Sequence, residues 1–403
     1  MGPDIILILV VGAGLAFDFT NGFHDTANAM ATSIATGALN PRAAVLLSAA
    51  LNFIGAFISI SVAATIAKGI INPSVLAGGS GLELVLAALI GAMTWNLITW
   101  YFTLPSSSSH ALIGGVIGAT IVGTGSGAIH WHNLLQSVVA PAVLSPIVAG
   151  LVALIGTYVA YRLIRHLGEG EARRGYRFGQ IGSASLVSLA HGTNDAQKTM
   201  GIISLALIAH GDISTVHFMV PLWVKLACAT SLALGTSTGG WRIINTMGNR
   251  ITDVESPQGF AAESASAAVI LASSYYGYPL STTLVVSGGV TGSGLGRRLS
   301  SVHWGVVGQM ATAWVLTIPG AGLLGGTAYE ISSRVGTHDT AGSLVIAALA
   351  GIAAFVLFRL AQRNNVRPED LDRTNPDRNL SRTHLPPEPE EETVAEVYAE
   401  MAA

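Results

Sequence analysis

Two ten-residue stretches of this sequence carry the same unusual mixture of acid, amide and imidazole. NGFHDTANAM (21–30) and HGTNDAQKTM (191–200) align at a constant offset of 170 residues, so that Gly22, Asp25 and Met30 match Gly192, Asp195 and Met200. A second pair, LPSSSSHALIGGVIG (104–118) and YPLSTTLVVSGGVTG (278–292), aligns at an offset of 174. In each member a proline breaks the preceding segment, hydroxyl side chains follow (Ser106 to Ser109; Ser281, Thr282 and Thr283), and glycine-rich sequence continues. A helix beginning at such a point gathers backbone N–H and side-chain O–H donors on one spot, which is the chemistry of an anion site. Two such helix starts facing one another would surround a tetrahedral oxyanion with neutral donors.

Asp25 and Asp195 sit in apolar surroundings, where a carboxylate costs about 2.5–3.5 kcal/mol on membrane-insertion scales. Their duplication argues for a place in a translocation path. A bare carboxylate repels an anion, so a proton or a bound cation must stand between them, and this is a physical basis for cation-coupled transport. Thr26, Asn28, Asn194 and Gln197 have the chemistry to complete a cation shell or to hydrogen-bond the anion. Lys198 follows Asp195 by three residues, on the same helical face, and can neutralise it or touch the anion. Glu83 and Glu263 precede the two proline motifs inside apolar sequence and are candidate proton carriers. His24 and His191 flank the acids, and imidazole is a side chain suited to proton transfer.

The elements that must hold these groups follow from composition. Half of the 403 residues are hydrophobic and only 11% are charged, with a mean hydropathy of +0.55, which places the chain in a bilayer. Apolar runs near 4–20, 41–67, 82–103, 133–161, 215–236, 259–276, 303–325 and 341–360 approach the roughly 20 residues needed to span the hydrocarbon. Shorter polar-flecked stretches near 22–38, 104–123, 188–209 and 279–296 read as half-helices or re-entrant hairpins buried in protein. The expectation is an all-α polytopic membrane protein of about 10–12 membrane segments, built from two inverted-topology repeats, 1–161 and 181–363. Ile5 to Phe17 lacks a basic leader and runs into a polar motif, so it reads as a retained helix.

Between the repeats, 162–180 holds Arg162, Arg165, Arg173, Arg174 and Arg177, a basic loop that the positive-inside rule places in the cytoplasm. Ten of the 23 acidic residues lie between Glu369 and Glu400, and 364–403 reads as a disordered acidic tail. A net charge of -3 without a basic aromatic surface leaves nucleic-acid binding without support. Cys228 is the single cysteine, which excludes an internal disulfide framework.

At NGFHDTANAMAT, AHGTNDAQKTMG and YPLSTTLVVSGG, with GGWRIINTMG (239–248) and QGFAAESASA (258–267), the chain resembles the inorganic phosphate transporter (PiT) family, over about 1–360. The resemblance implies a multi-pass transporter of the bacterial plasma membrane that takes up phosphate, with arsenate as its analogue, down a proton or sodium gradient. It also implies phosphate carried in some members as a neutral complex with Mg2+ or another divalent metal, and it places Asp25, Asn28, Asn194, Asp195, Ser107 to Ser109 and Ser281 to Thr283 at the site. No resident cofactor is expected; the co-transported H+ or Na+ is a substrate. A homo-oligomer stays open. Three departures stand out: His24 where many members have Asn, Leu284 where a His is common, and Asn52 where sodium-coupled relatives often carry an acid. The last favours protons.

Two other classes compete. A sodium-coupled phosphate or sulfate permease would use the same hydroxyls, and a divalent metal carrier would use His24, Asp25, His191 and Asp195 as ligands. An intramembrane hydrolase finds no G-x-S-x-G and no purpose for a duplicated serine, so the chain is not expected to be an enzyme.

Overall fold

The computed structural model describes residues 2–72, 76, 81–164, 169–214, 218–298, 301–335, 340–361 and 366–372. All of the regular elements there are helical apart from two isolated bridges, Ile71 with Ile129 and Thr252 with Val302. The first half holds α1 (Gly2–Ala35), α2 (Pro41–Gly55), α3 (Ser61–Gly69), α4 (Gly81–Tyr101), α5 (Ser108–Thr124), the short α6 (Trp131–Leu134) and, after a π-helical turn, α7 (Ala140–Ile164). The second holds α8 (Glu169–His210), α9 (Leu222–Thr238), α10 (Trp241–Asn249), α11 (Ser256–Tyr275), α12 (Thr282–Arg297), α13 (Trp304–Val335) and α14 (Ala341–Ala361), followed by α15 (Pro368–Leu371).

Five helical stretches are long and apolar enough to cross a membrane: Pro3–Ala35, Gly81–Tyr101, Trp131–Ile164, Trp304–Val335 and Ala341–Ala361. Leu144, Ile147, Leu151 and Ile155 on α7, with Leu349, Ile352 and Phe355 on α14, are exposed, as lipid-facing side chains must be. The remaining expected segments are the polar α8 and shorter helices. Two expectations are corrected. The stretches 22–38 and 188–209 are not half-helices: 22–35 and 188–209 are continuous with α1 and α8, because no proline interrupts them and neighbouring helices satisfy their polar side chains. The apolar run 41–67 is not one span either, being broken between α2 and α3 where Gly55 lies directly against the Leu189 carbonyl of α8.

The stretch expected to be a basic loop over 162–180 is helical from Glu169 onward. Arg177 there donates to the Gly37 carbonyl just beyond α1, while at the other end of the same helix His210 lies 3.4 Å from Asp4 near the start of α1. Helices α1 and α8 therefore run antiparallel, and Asp25 and Asp195 meet in the middle. Part of the expected tail is folded: α15 lies on α2, with Arg42 paired to Glu369 at 2.6 Å and Asn40 donating to Asp372 at 2.8 Å, and residues 373–403 lie outside the described residues.

The two hairpins, α4–α5 and α11–α12, repeat one design. Ser107 and Ser281 are the N-caps of α5 and α12, accepting from the backbone N–H of His110 and Leu284. Each returning helix packs on the long helix of the other half, α5 on α13 and α12 on α7. Glycine permits it: a Cβ at Gly118 would stand 1.8 Å from the Gly322 carbonyl, and one at Gly292 would stand 2.0 Å from that of Gly150. The repeats are thus interlocked, and the hairpin tips converge at the centre from opposite ends.

Candidate functional site

Asp25 is 1% exposed and Asp195 0%, each on the middle of a long helix, and both are tied to the hairpin tips. One oxygen of Asp25 accepts from Ser108 Oγ at 2.7 Å, at the tip of the first hairpin; the other lies 2.7 Å from His24 Nδ1 and 3.5 Å from Thr283 Oγ1 of the second. Asp195 accepts from Lys198 Nζ at 2.6 Å and from Asn21 Nδ2 of α1 at 3.2 Å. His191 Nε2 stands 3.3 Å from the same oxygen that Asn21 reaches, and its Nδ1 is 3.1 Å from Asn52 Oδ1.

Of the positions equivalent in the repeat, Asn28 braces the second hairpin and Lys198 bridges both. Asn28 donates to Thr282 Oγ1 at 3.2 Å and Thr283 Oγ1 at 3.0 Å. Lys198, 1% exposed, donates to Ser109 Oγ at 2.5 Å and to the Leu280 carbonyl at 2.8 Å, and Ser109 itself donates to that carbonyl at 2.9 Å. A buried ammonium with three oxygen partners is satisfied in charge and hydrogen bonding together. It also fixes the distance between the two tips.

The structure gathers most of the residues singled out by spacing and releases others. Asp25, Asp195, Asn28, Lys198, His24, Ser108, Ser109, Thr282 and Thr283 form the centre, with Ser107 and Ser281 acting as caps beneath it. Asn194 lies at the edge, donating to Ser274 Oγ at 2.9 Å and the Tyr278 carbonyl at 3.3 Å. Gln197 turns away. Its Oε1 accepts from the backbone N–H of Val62 and Ala63 and its Nε2 donates to the Thr193 carbonyl, so its hydrogen bonds cap the start of α3 and go to neither hairpin. Glu83 stands in the first turn of α4, about 27 Å along that helix from the tip end at Tyr101. Glu263 lies about two turns beyond Asp25, where Thr32, Ser33, Ser183 and Gln180 all donate to its carboxyl, at 2.5 to 3.3 Å.

Sequence reasoning missed the Leu280 carbonyl, Asn21 as a donor to Asp195, and the donors around Glu263. A backbone carbonyl carries no side-chain signal, and Thr32, Ser33, Gln180 and Ser183 are ordinary helix residues until α1, α8 and α11 are packed together.

Asp25, His191 and Asp195 each present a ligand atom within 4.8 Å of the others. Near them Asn21 Oδ1, Asn194 Oδ1 and His24 Nε2 are buried without a hydrogen-bond partner. Two carboxylates and an imidazole suit a cation, and unsatisfied amide oxygens beside them point the same way.

The sequence matches the profile described as the phosphate transporter family twice, over residues 21–174 and 165–325. The chain belongs to the phosphate transporter family. The two matches fall on the two halves that the hairpins define. It is 52% identical over 370 residues to the probable low-affinity inorganic phosphate transporter of Mycobacterium bovis, covering 92% of this chain and 86% of that one. It is 43% identical over 331 residues to the protein of the same description in Bacillus subtilis, covering 82% and 98%. Among solved structures it is similar to one described as the sodium-dependent phosphate transporter, with a TM-score of 0.73 and 25% identity, covering 82% of this chain and all of that one. This phosphate transporter is a multi-pass membrane protein and not an enzyme.

Proposed function

We propose that the chain imports inorganic phosphate by symport with protons, at the centre where the two hairpin tips meet. The observation that carries the reading is the charge balance there. Among the described residues the buried lysine and arginine side chains are Lys198 and Arg297, and Arg297 pairs with Glu255 far from the tips. Two carboxylates therefore face one ammonium before any anion arrives. Phosphate at neutral pH brings between one and two further negative charges into a site with low effective dielectric, and it must bring positive charge with it.

The hydroxyls supply the recognition. Ser108, Ser109, Thr282 and Thr283 are bonded to Asp25, Leu280 and Asn28, and each can exchange that partner for a phosphate oxygen by turning one torsion. The N-termini of α5 and α12 behind them favour negative charge. Protons are favoured over sodium because the carboxylates are already ringed by hydrogen-bond donors, and a proton needs no shell of free oxygen ligands. The sodium reading is favoured by the likeness to a solved transporter that is described as sodium-dependent. The Asp25, His191 and Asp195 cluster supports a divalent metal travelling with phosphate as a neutral complex.

The test is radiolabelled phosphate uptake into proteoliposomes under an imposed proton gradient, then a sodium gradient, with sulfate and arsenate as competitors. Proton-driven uptake blocked by arsenate and indifferent to sulfate is the expected result, abolished in Asp25→Asn and in Asp195→Asn. Uptake that needs sodium would replace the proton reading, and full uptake by both variants would remove the acids from coupling.

A further inference from the structure

Asp18, also in the membrane interior, differs from Asp25, Asp195 and Glu263. Asp18 is 0% exposed and lies seven residues before Asp25, two turns along the same face of α1. Asp25, Asp195 and Glu263 are each surrounded by two or more N–H or O–H donors. Asp18 receives one, with Thr199 Oγ1 of α8 donating to its Oδ1 at 2.5 Å, and beside it only the weak thiol donor of Cys228. Its Oδ2 is buried with no nitrogen or oxygen partner. The titratable groups that face it are Cys228 of α9 and, through longer-range electrostatics, Lys198 and Asp195 of α8. Lys198 is held by Asp195, Ser109 and Leu280, and none of these contacts is with Asp18.

A carboxylate in a membrane interior loses several kcal/mol of solvation, which one hydroxyl and one weak thiol donor replace only in part. A proton on Oδ2 removes that penalty without any change in shape. The position also suits traffic. A groove lined by Leu7 and Val11 of α1, Leu207 of α8, Asp212 and Trp223 of α9 opens at the end of the molecule opposite the basic stretch. Val11, Leu207 and Trp223 each lie within about two turns of Asp18, Thr199 and Cys228 on the same three helices. Between groove and acid, Gly14 of α1 is closed against Ile203 and Thr199 of α8. On the inner side, Asn21 stands one turn further along α1, donating to Asp195 with its own Oδ1 unpartnered.

We propose that Asp18 is a proton-carrying site between this groove and the Asp195–Lys198 pair, loaded from the groove and emptied toward Asp195. The step balances: a proton arriving from water forms an O–H bond at Oδ2, that bond breaks as the proton passes inward, past the Asp195–Lys198 pair, to an oxygen of dibasic phosphate, which leaves as the monobasic ion, and Asp18 ends the cycle as it began. The inference rests on the proton-coupled reading of the transporter.

Asp18→Asn keeps the shape and an acceptor for Thr199 but cannot exchange a proton. The full-length protein in proteoliposomes is assayed for phosphate accumulation under a gradient of one pH unit and for exchange of labelled phosphate at equal concentrations on both sides. One proton moved per phosphate under that gradient concentrates phosphate about tenfold. Asp18→Asn is expected to lose that tenfold accumulation while exchanging at the wild-type rate, and Asp18→Glu to accumulate. Accumulation by Asp18→Asn equal to wild type overturns the proposal alone. So does loss of exchange in both variants, which would mark Asp18 as structural. Wild-type protein that exchanges phosphate but accumulates none under the proton gradient overturns the proton reading itself.

Discussion

Replacing Lys198 by Met keeps the length of the side chain and removes its charge and its three partners together. The structure sets the size of the effect. Nζ lies 2.6 Å from Asp195, 2.5 Å from Ser109 Oγ and 2.8 Å from the Leu280 carbonyl, all buried, so the substitution leaves the carboxylate without its counter-charge, with Asn21 still donating to it and Ser109 to the carbonyl. Hydrogen bonds between membrane helices average about 0.6 kcal/mol, so the two neutral contacts together account for about 1 kcal/mol. Breaking a buried ion pair by removing one partner costs about 3–5 kcal/mol, and that loss dominates. Lys198→Met is therefore expected to lower stability by about 3 kcal/mol or more and to weaken phosphate binding by roughly two decades or more, since 1.4 kcal/mol is a factor of ten. Adding Asp195→Asn removes the orphaned charge and is expected to restore most of the stability but not the transport. The assay is thermal unfolding of the detergent-purified protein with and without phosphate, run beside uptake in proteoliposomes. A Lys198→Met protein as stable as wild type, or a double variant less stable than either single one, would refute the reasoning that the ion pair holds the hairpin tips together.

Gly118→Ala and Gly292→Ala would each drive a methyl into a backbone carbonyl, at 1.8 and 2.0 Å, and both are expected to abolish folded protein in the membrane; Gly12→Ala, with nothing within 4 Å, is expected to be neutral or slightly stabilising, by up to about 1 kcal/mol. Size-exclusion profiles of the three variants in detergent check this, and a monodisperse Gly118→Ala peak would count against the interlocked packing. Glu263→Gln puts an amide N–H2 among the donors Thr32, Ser33, Ser183 and Gln180, and it is expected to slow phosphate uptake about tenfold or more while leaving phosphate affinity in place; unchanged initial rates would remove Glu263 from the transport cycle.

Much of the centre was legible in the sequence because duplication wrote it twice. The constant offsets between the two acid motifs and between the two proline motifs singled out Asp25, Asp195 and the hydroxyl clusters, and composition placed them in a bilayer. Contacts were decided by packing. Gln197 sits inside the acid motif yet faces α3, because a helix turns each residue about 100° from the last and one step from Ala196 or Lys198 points elsewhere. Glu83 and Glu263 both precede a proline motif, at unequal spacing, and their hairpin helices place one in the first turn of α4 and the other beside Thr32 and Ser33. Asp18 drew no attention as a single acid in a hydrophobic run, since nothing in a linear pattern tells how many donors a carboxyl will meet. The sequence by itself determined which chemical groups are duplicated and that they must be buried, because hydropathy and repetition are properties of the chain alone. The tertiary structure decided which of those groups touch, because partners on α1, α8, α12 and the first hairpin, more than 80 residues apart, are set only by how glycine surfaces let the two halves interlock.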